Sequence, residues 1–98
     1  MIEYLYDAIR AVAGQEIKVV AYITDENENI ITEGCCFVLH DKTGDKMLLK
    51  KEGQYSPEFN FWEFVLAPED TAGMTGRHLY CIQYNDSNLC FKQPIYLK

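Results

Sequence analysis

"FVLAPEDTAGMTGRHLYCIQY", residues 64–84, decides the fold. Phe64 and Leu66 alternate with Val65, the period of an extended strand. The run stops at Pro68, which suits the first position of a helical turn, and Glu69 and Asp70 suit that turn's positive end. Beyond Gly73 and Gly76, "RHLYCIQY" (77–84) puts His78, Tyr80, Ile82 and Tyr84 on one side of a second strand. The stretch therefore reads as strand, one-turn corner, strand. Leu66 and Tyr80 are expected in the core, with Tyr84 also inside.

Working outward, the same grammar repeats. "FNFWEFVL" (59–66) groups Trp62, Phe64 and Leu66 on one face, opposite Phe59 and Phe61. "IKVVAYI" (17–23) gathers Ile17, Val19, Ala21 and Ile23 on one face. "CCFVLHD" (35–41) sets Cys35, Phe37 and Leu39 against Cys36, Val38 and His40. "KMLLKK" (46–51) follows a Thr43-Gly44 turn and should form a hairpin with its predecessor. "LCFKQPIYL" (89–97) closes the chain with Leu89, Phe91, Ile95 and Leu97 on one face. Pro94 cannot donate to a ladder, so this strand is expected at an edge or a bulge. Residues 3–13 are ambiguous between helix and strand, and an irregular first strand is favoured over "AIRAVAG". Short runs between frequent turn signals, with no repeat or linker, make 1–98 a single all-β domain of about seven strands, a sandwich or barrel. Several strands are apolar on both sides, so one side should meet the core and the other a neighbour.

Composition narrows the function classes. Ninety-eight residues suffice for one domain, with roughly 65% of the unfolded surface buried on folding. A net charge of −6 disfavours phosphate backbones and anionic lipid, so neither nucleic acid nor membrane is an expected partner. The cluster Lys46 to Lys51 lies inside a strand pattern, where lysines discourage unwanted pairing. The opening "MIEYLYDAIRAV" carries Glu3 and Asp7, and is expected to be neither an export signal nor a membrane span. The four cysteines, Cys35, Cys36, Cys81 and Cys90, allow three pairings in principle; reduced thiols packed as small apolar groups are expected.

Catalytic chemistry finds little footing. Ser56 precedes a proline, Ser87 lies in a turn, and neither sits in a nucleophile elbow. His40 and Asp41 are consecutive strand residues and face opposite ways. No cysteine spacing fits zinc, and His78 and Cys81 fall on opposite strand faces. In "DENEN" (25–29), Asp25, Asn27 and Asn29 match the first calcium-loop ligands, but Ile30 and Cys36 occupy the places of the required Gly and Glu. A polar hairpin turn is the better reading. No enzyme, cofactor or metal site is expected. Of the seven tyrosines, Tyr55, read as lying in the loop "EGQYSPE", is the candidate partner contact.

The 64–84 stretch resembles an immunoglobulin corner. The order from Gly14 onward is similar to the immunoglobulin-like module of bacteriophage structural proteins, in particular the N-terminal domain of baseplate upper proteins. The matching positions are Phe64, Leu66, Pro68, Glu69, Asp70, Thr71, Gly76, His78, Tyr80 and Ile82. His78 and Met74 depart from that pattern. The Cys-Trp-Cys pin of antibody domains is not supported, because Trp62 lies far beyond Cys36 and Tyr80 adjoins Cys81. The resemblance implies an immunoglobulin-like antiparallel β-sandwich and a non-catalytic part in assembling a virion baseplate, tail or fibre. Its implied partners are other virion proteins and further copies of itself, in the virion or in the bacterial cytoplasm before assembly. A carbohydrate-binding or adhesion-type sandwich, with Tyr55 touching sugar, is the competing expectation.

Overall fold

The computed structural model describes residues 8–85, 87–88 and 92–98. The expectations for Leu89, Cys90 and Phe91, and for the part of 3–13 before residue 8, lie outside these. Among the described residues the strands are β1 (Ile9–Ala11), β2 (Ile17–Ala21), β3 (Cys35–His40), β4 (Met47–Glu52), β5 (Gln54–Ser56), β6 (Phe61–Leu66), β7 (Gly76–Tyr84), β8 (Ser87–Asn88) and β9 (Gln93–Leu97). The only helical turn among them is α1 (Pro68–Thr71), at the predicted corner. One sheet runs β1-β9-β7-β3-β4, with β8 paired to β7; the other runs β2-β6-β5. The all-β sandwich is as expected. The short strands β5 and β8 bring the count above seven.

Alternation places the core between the sheets. Ile17, Val19 and Ala21 of β2 join Trp62, Phe64 and Leu66 of β6. They face Cys35, Phe37 and Leu39 of β3, Tyr80 and Ile82 of β7, and Ile95 and Leu97 of β9. Leu66 and Tyr80 are fully buried, as predicted, whereas Tyr84 is only half-buried. Thr71 is also buried. Its Oγ1 accepts from the Gly14 amide at 3.0 Å, tying the α1 corner to the β1–β2 turn.

The strand faces that are apolar on both sides have a local explanation. Val38 and Cys81 are cross-strand partners on the outer face of the larger sheet, yet both are fully buried. The β3–β4 turn and the return toward β9 meet above this face, where Lys92 Nζ donates to the Gly44 carbonyl. Gly44, at φ +81°, has Leu79 and Lys92 within about 3.1 Å of where a Cβ would stand.

Two expectations are corrected here. Pro94 does not sit at an edge, because β9 is flanked by β7 and by β1, which pairs with it in parallel. The Lys98 amide donates to the Ala11 carbonyl on the β1 side, and alternation aims the nitrogen of residue 94 the same way. The described β1 register begins at Ile9↔Ile95. The proline's missing N–H thus precedes the described pairs, which form from Ile95 onward. Second, Tyr55 lies on β5, in register with Trp62, rather than in a loop. The Gly and Pro that signal a turn there bracket a three-residue strand.

Gly53 alone joins β4 of one sheet to β5 of the other. A Cβ on it would stand 2.4 Å from Phe64 Cε1 and 2.8 Å from Trp62 Cε3. Both rings are core residues that cannot retreat, so Gly53→Ala should cost about 1–3 kcal/mol through overpacking. Urea denaturation of the variant checks this, and an unchanged midpoint would mean that the crossing is slacker than described.

At the α1 corner, Asp70 Oδ2 accepts from the Ala67 amide at 2.7 Å and pairs with Lys51 Nζ at 2.9 Å. Lys51, above all, and the Ala67 amide hold the Asp70 carboxyl below the usual carboxylate range. A depressed native pKa contributes stability above the unfolded value, near 4 on the order-of-magnitude scale for Asp, and that contribution fades as pH falls through the native value. Asp70→Asn should therefore cost about 1 kcal/mol at neutral pH and flatten the acid limb of stability against pH. Urea midpoints taken from pH 7 downward measure both effects.

Candidate interaction surface

The residues with catalytic potential are spent on structure. His40 is buried, and burial together with nearby Lys92 holds its imidazole pKa below the ordinary value, against the pull of Asp41. Its Nε2 lies 3.5 Å from Cys81 Sγ, while Nδ1 is buried without a hydrogen-bond partner. Asp41 does not orient it. One Asp41 oxygen accepts from the Thr43 hydroxyl at 2.9 Å and the Gly44 amide at 2.9 Å, capping the turn. Desolvation works against that carboxylate, but the turn's hydrogen bonds outweigh it and hold its pKa low. The sequence missed the His40–Cys81 contact because the partners are 41 positions apart. Since Cys81 is fully buried, the pair cannot reach a substrate.

The other candidates divide in the same way. Cys35 packs in the core while Cys36 is half-buried on the opposite strand face. Burial pushes the Cys35 thiol up to about 12, which keeps it protonated and unreactive at neutral pH. In the 25–29 turn, Asp25 Oδ1 accepts from the Asn27 amide at 2.8 Å and the Asn29 amide at 2.9 Å. These bonds, the Asn29 one foremost, keep its carboxyl pKa low. The left-handed residue of that turn is Glu28, at φ 65°, rather than an Asn or Asp. Among the described residues, no three His, Cys, Asp or Glu side chains converge as a metal site would require. No helix among them is long and apolar enough to cross a membrane.

What the fold does present is an apolar outer face on the β2-β6-β5 sheet. Val20 (42% exposed), Tyr22 and Val65 point away from the core, with a Lys18–Glu63 ion pair at 3.7 Å among them. At one end, the 57–60 turn carries Phe59, 62% exposed, stacked on Phe61 with ring centres 5.6 Å apart. Asn60, at φ 59°, lets the chain reverse there, and its amide donates to the Ser56 carbonyl at 2.8 Å. Phe59 and Phe61 thus lie opposite Trp62, as the alternation predicts.

Tyr55 borders this end. Its ring packs on Trp62 at 5.8 Å and its hydroxyl donates to Asn60 Oδ1 at 2.9 Å. The side chain braces the hairpin from the core side, and the residue also borders an open cleft of about 400 Å³ lined by Gln54, Ser56, Phe59, Phe61 and Glu63. The cleft offers stacked rings beside a few polar groups, which is suited to docking rather than to bond-making. The alternation sets Phe59 and Phe61 opposite Trp62, but their meeting with β5 at this end depends on the β5–β6 register, which no local spacing gives.

Comparison with known proteins gives a fold-level result. No family model matches the chain, and no curated protein does. Among solved structures, the Lin-41 filamin domain is similar with a TM-score of 0.62 at 10% identity, covering 100% of this chain and 90% of that one. At so low an identity the likeness concerns the backbone alone, and it establishes the chain as an immunoglobulin-like β-sandwich.

Proposed function

We propose that this chain is a non-catalytic protein–protein interaction module, serving as a structural part of a phage or prophage baseplate, tail or fibre. The observation that carries the interaction reading is the outer face of the β2-β6-β5 sheet, where Val20, Tyr22, Phe59 and Val65 stay exposed together. Clustered exposed apolar residues on a small domain mark a docking surface. The virion assignment draws on the resemblance of the chain from Gly14 onward to baseplate modules. Its partners are other virion proteins and copies of the chain itself. Antibodies raised against the domain and applied to particles released by the source bacterium test the assignment. Labelled particles in electron micrographs are expected; purified particles free of the protein would overturn it.

A second reading has one observation in its favour. The stacked Phe59 and Phe61 rings beside Gln54 and Glu63, in a cleft that Tyr55 also borders, form the kind of platform on which a sugar ring can lie. A glycan array decides. A defined glycan whose binding disappears in Tyr55→Ala would place carbohydrate binding ahead of assembly, and a blank array removes it.

A further inference from the structure

The edge opposite the aromatic tip carries a row that no sequence spacing announces. Arg10 of β1 and Arg77 of β7 stand directly across from Tyr96 of β9, one on each side. The Arg10 guanidinium lies over the Tyr96 ring, 4.8 Å from its centre. Arg10, Ala11, Val12, Tyr96 and Lys98 line a pocket of about 160 Å³, and Val12 is 45% exposed. In a chain with 15 acidic and 9 basic residues, this edge puts two cations, Arg10 and Lys98, in the lining of the pocket, with Arg77 on the next strand.

The 57–60 tip has the complementary chemistry. Phe59, stacked on Phe61, leaves most of its surface to solvent, and the neighbouring Glu58 is exposed. A cavity of roughly 150 Å³ is known to admit a benzene molecule, so the pocket matches one phenyl ring in size. The topology puts tip and pocket on opposite sides. The larger sheet runs from β1 at one edge to β4 at the other, and β4 passes through Gly53 alone into β5, whose hairpin carries the tip. Two tips meeting would set Glu58 against Glu58, and two pockets meeting would set cation against cation. Only tip against pocket pairs opposite charges.

We propose that copies of this chain join head to tail, the Phe59 ring of one seated in the Arg10–Tyr96 pocket of the next with Glu58 facing Arg10 and Lys98. This rests on the reading of the chain as an assembly module and gives that module a repeating contact. Such a heterologous contact closes into a ring or continues as a filament.

Sedimentation velocity over a concentration series tests the contact. The wild-type chain should associate, more weakly at high salt because the contact is partly ionic. Phe59→Ser and Arg10→Glu should each weaken association about 30-fold or more, the scale of losing a buried anchor. Phe59→Ser keeps a sound pocket and Arg10→Glu a sound tip, so an equimolar mixture should form dimers and nothing longer. Lys98→Glu replaces Arg10→Glu should circular dichroism find that variant unfolded. A wild-type chain that stays monomeric overturns the proposal, as do dimers indifferent to both substitutions or a mixture that forms none. Immunolabelled particles together with a monomeric free chain would defeat this contact while leaving the virion assignment standing.

Discussion

Tyr80→Ala should lower the free energy of unfolding by about 3–5 kcal/mol, the range for deleting a buried aromatic side chain. Tyr80 is fully buried, and its ring stacks on Phe37 with centres 5.3 Å apart and planes 11° from parallel. Phe37 in turn contacts Phe64 of the opposite sheet at 6.2 Å, so the cavity would open beside the contact that joins the two layers. Ordered strands surround the site, leaving little freedom for collapse to refill it. A domain of this size has a total stability of about 5–15 kcal/mol, so the variant should retain a small fraction of the native urea resistance. A loss below about 1 kcal/mol, under the floor for such deletions, would mean that Tyr80 does not close the core.

Trp62→Ala should be of the same order, about 3–5 kcal/mol, for a different combination of reasons. The indole is 4% exposed and lies between Phe64, at 6.1 Å, and Tyr55, at 5.8 Å. Its Nε1 also donates to the Ile31 carbonyl at 2.6 Å, fastening the segment after the 25–29 turn to β6. Removing the ring opens a cavity and strands that carbonyl. Trp62→Phe separates the two effects: it keeps most of the apolar volume and should cost about 1–3 kcal/mol, the penalty for an unsatisfied buried acceptor. Circular dichroism follows both variants, because Trp62 is the only tryptophan and its fluorescence goes with it. Equal losses in the two would show that the hydrogen bond, not the ring, dominates.

The parts of this fold that are legible in the sequence are those set by local period. Ile17 to Ala21 and Phe61 to Leu66 alternate cleanly, and the predicted inward residues Phe37, Leu39, Tyr80 and Ile82 all reach the core. Pro68 with Glu69 and Asp70 marks the corner turn. What escapes the sequence depends on distant partners. Pro94 suggests an edge because sequence cannot show that β1 runs parallel beside β9 with its ladder beginning at Ile95. Tyr55 reads as loop because Gly53 and Pro57 outweigh one aromatic locally, while Trp62 supplies the register that makes a strand. The apolar outer side of β3 is expected to meet a neighbour, yet its Val38 is fully buried within the domain itself. Of the candidate site, Phe59 and Phe61 are visible as an outward pair, but the Arg10–Tyr96–Arg77 row joins three strands that no spacing connects.

The parallel pairing of β1 with β9 also fixes how the domain answers to pulling. Tension applied before Ile9 and after Leu97 draws two strands that point the same way in opposite directions along their length. The register pairs Ile9↔Ile95, Arg10↔Tyr96 and Ala11↔Leu97 are then loaded in shear, all together. An antiparallel pair pulled from one end would open bond by bond instead. A copy pulled by its two ends would therefore meet its first resistance in the described β1–β9 pairs and the Lys98–Ala11 and Ala13–Lys98 hydrogen bonds beside them.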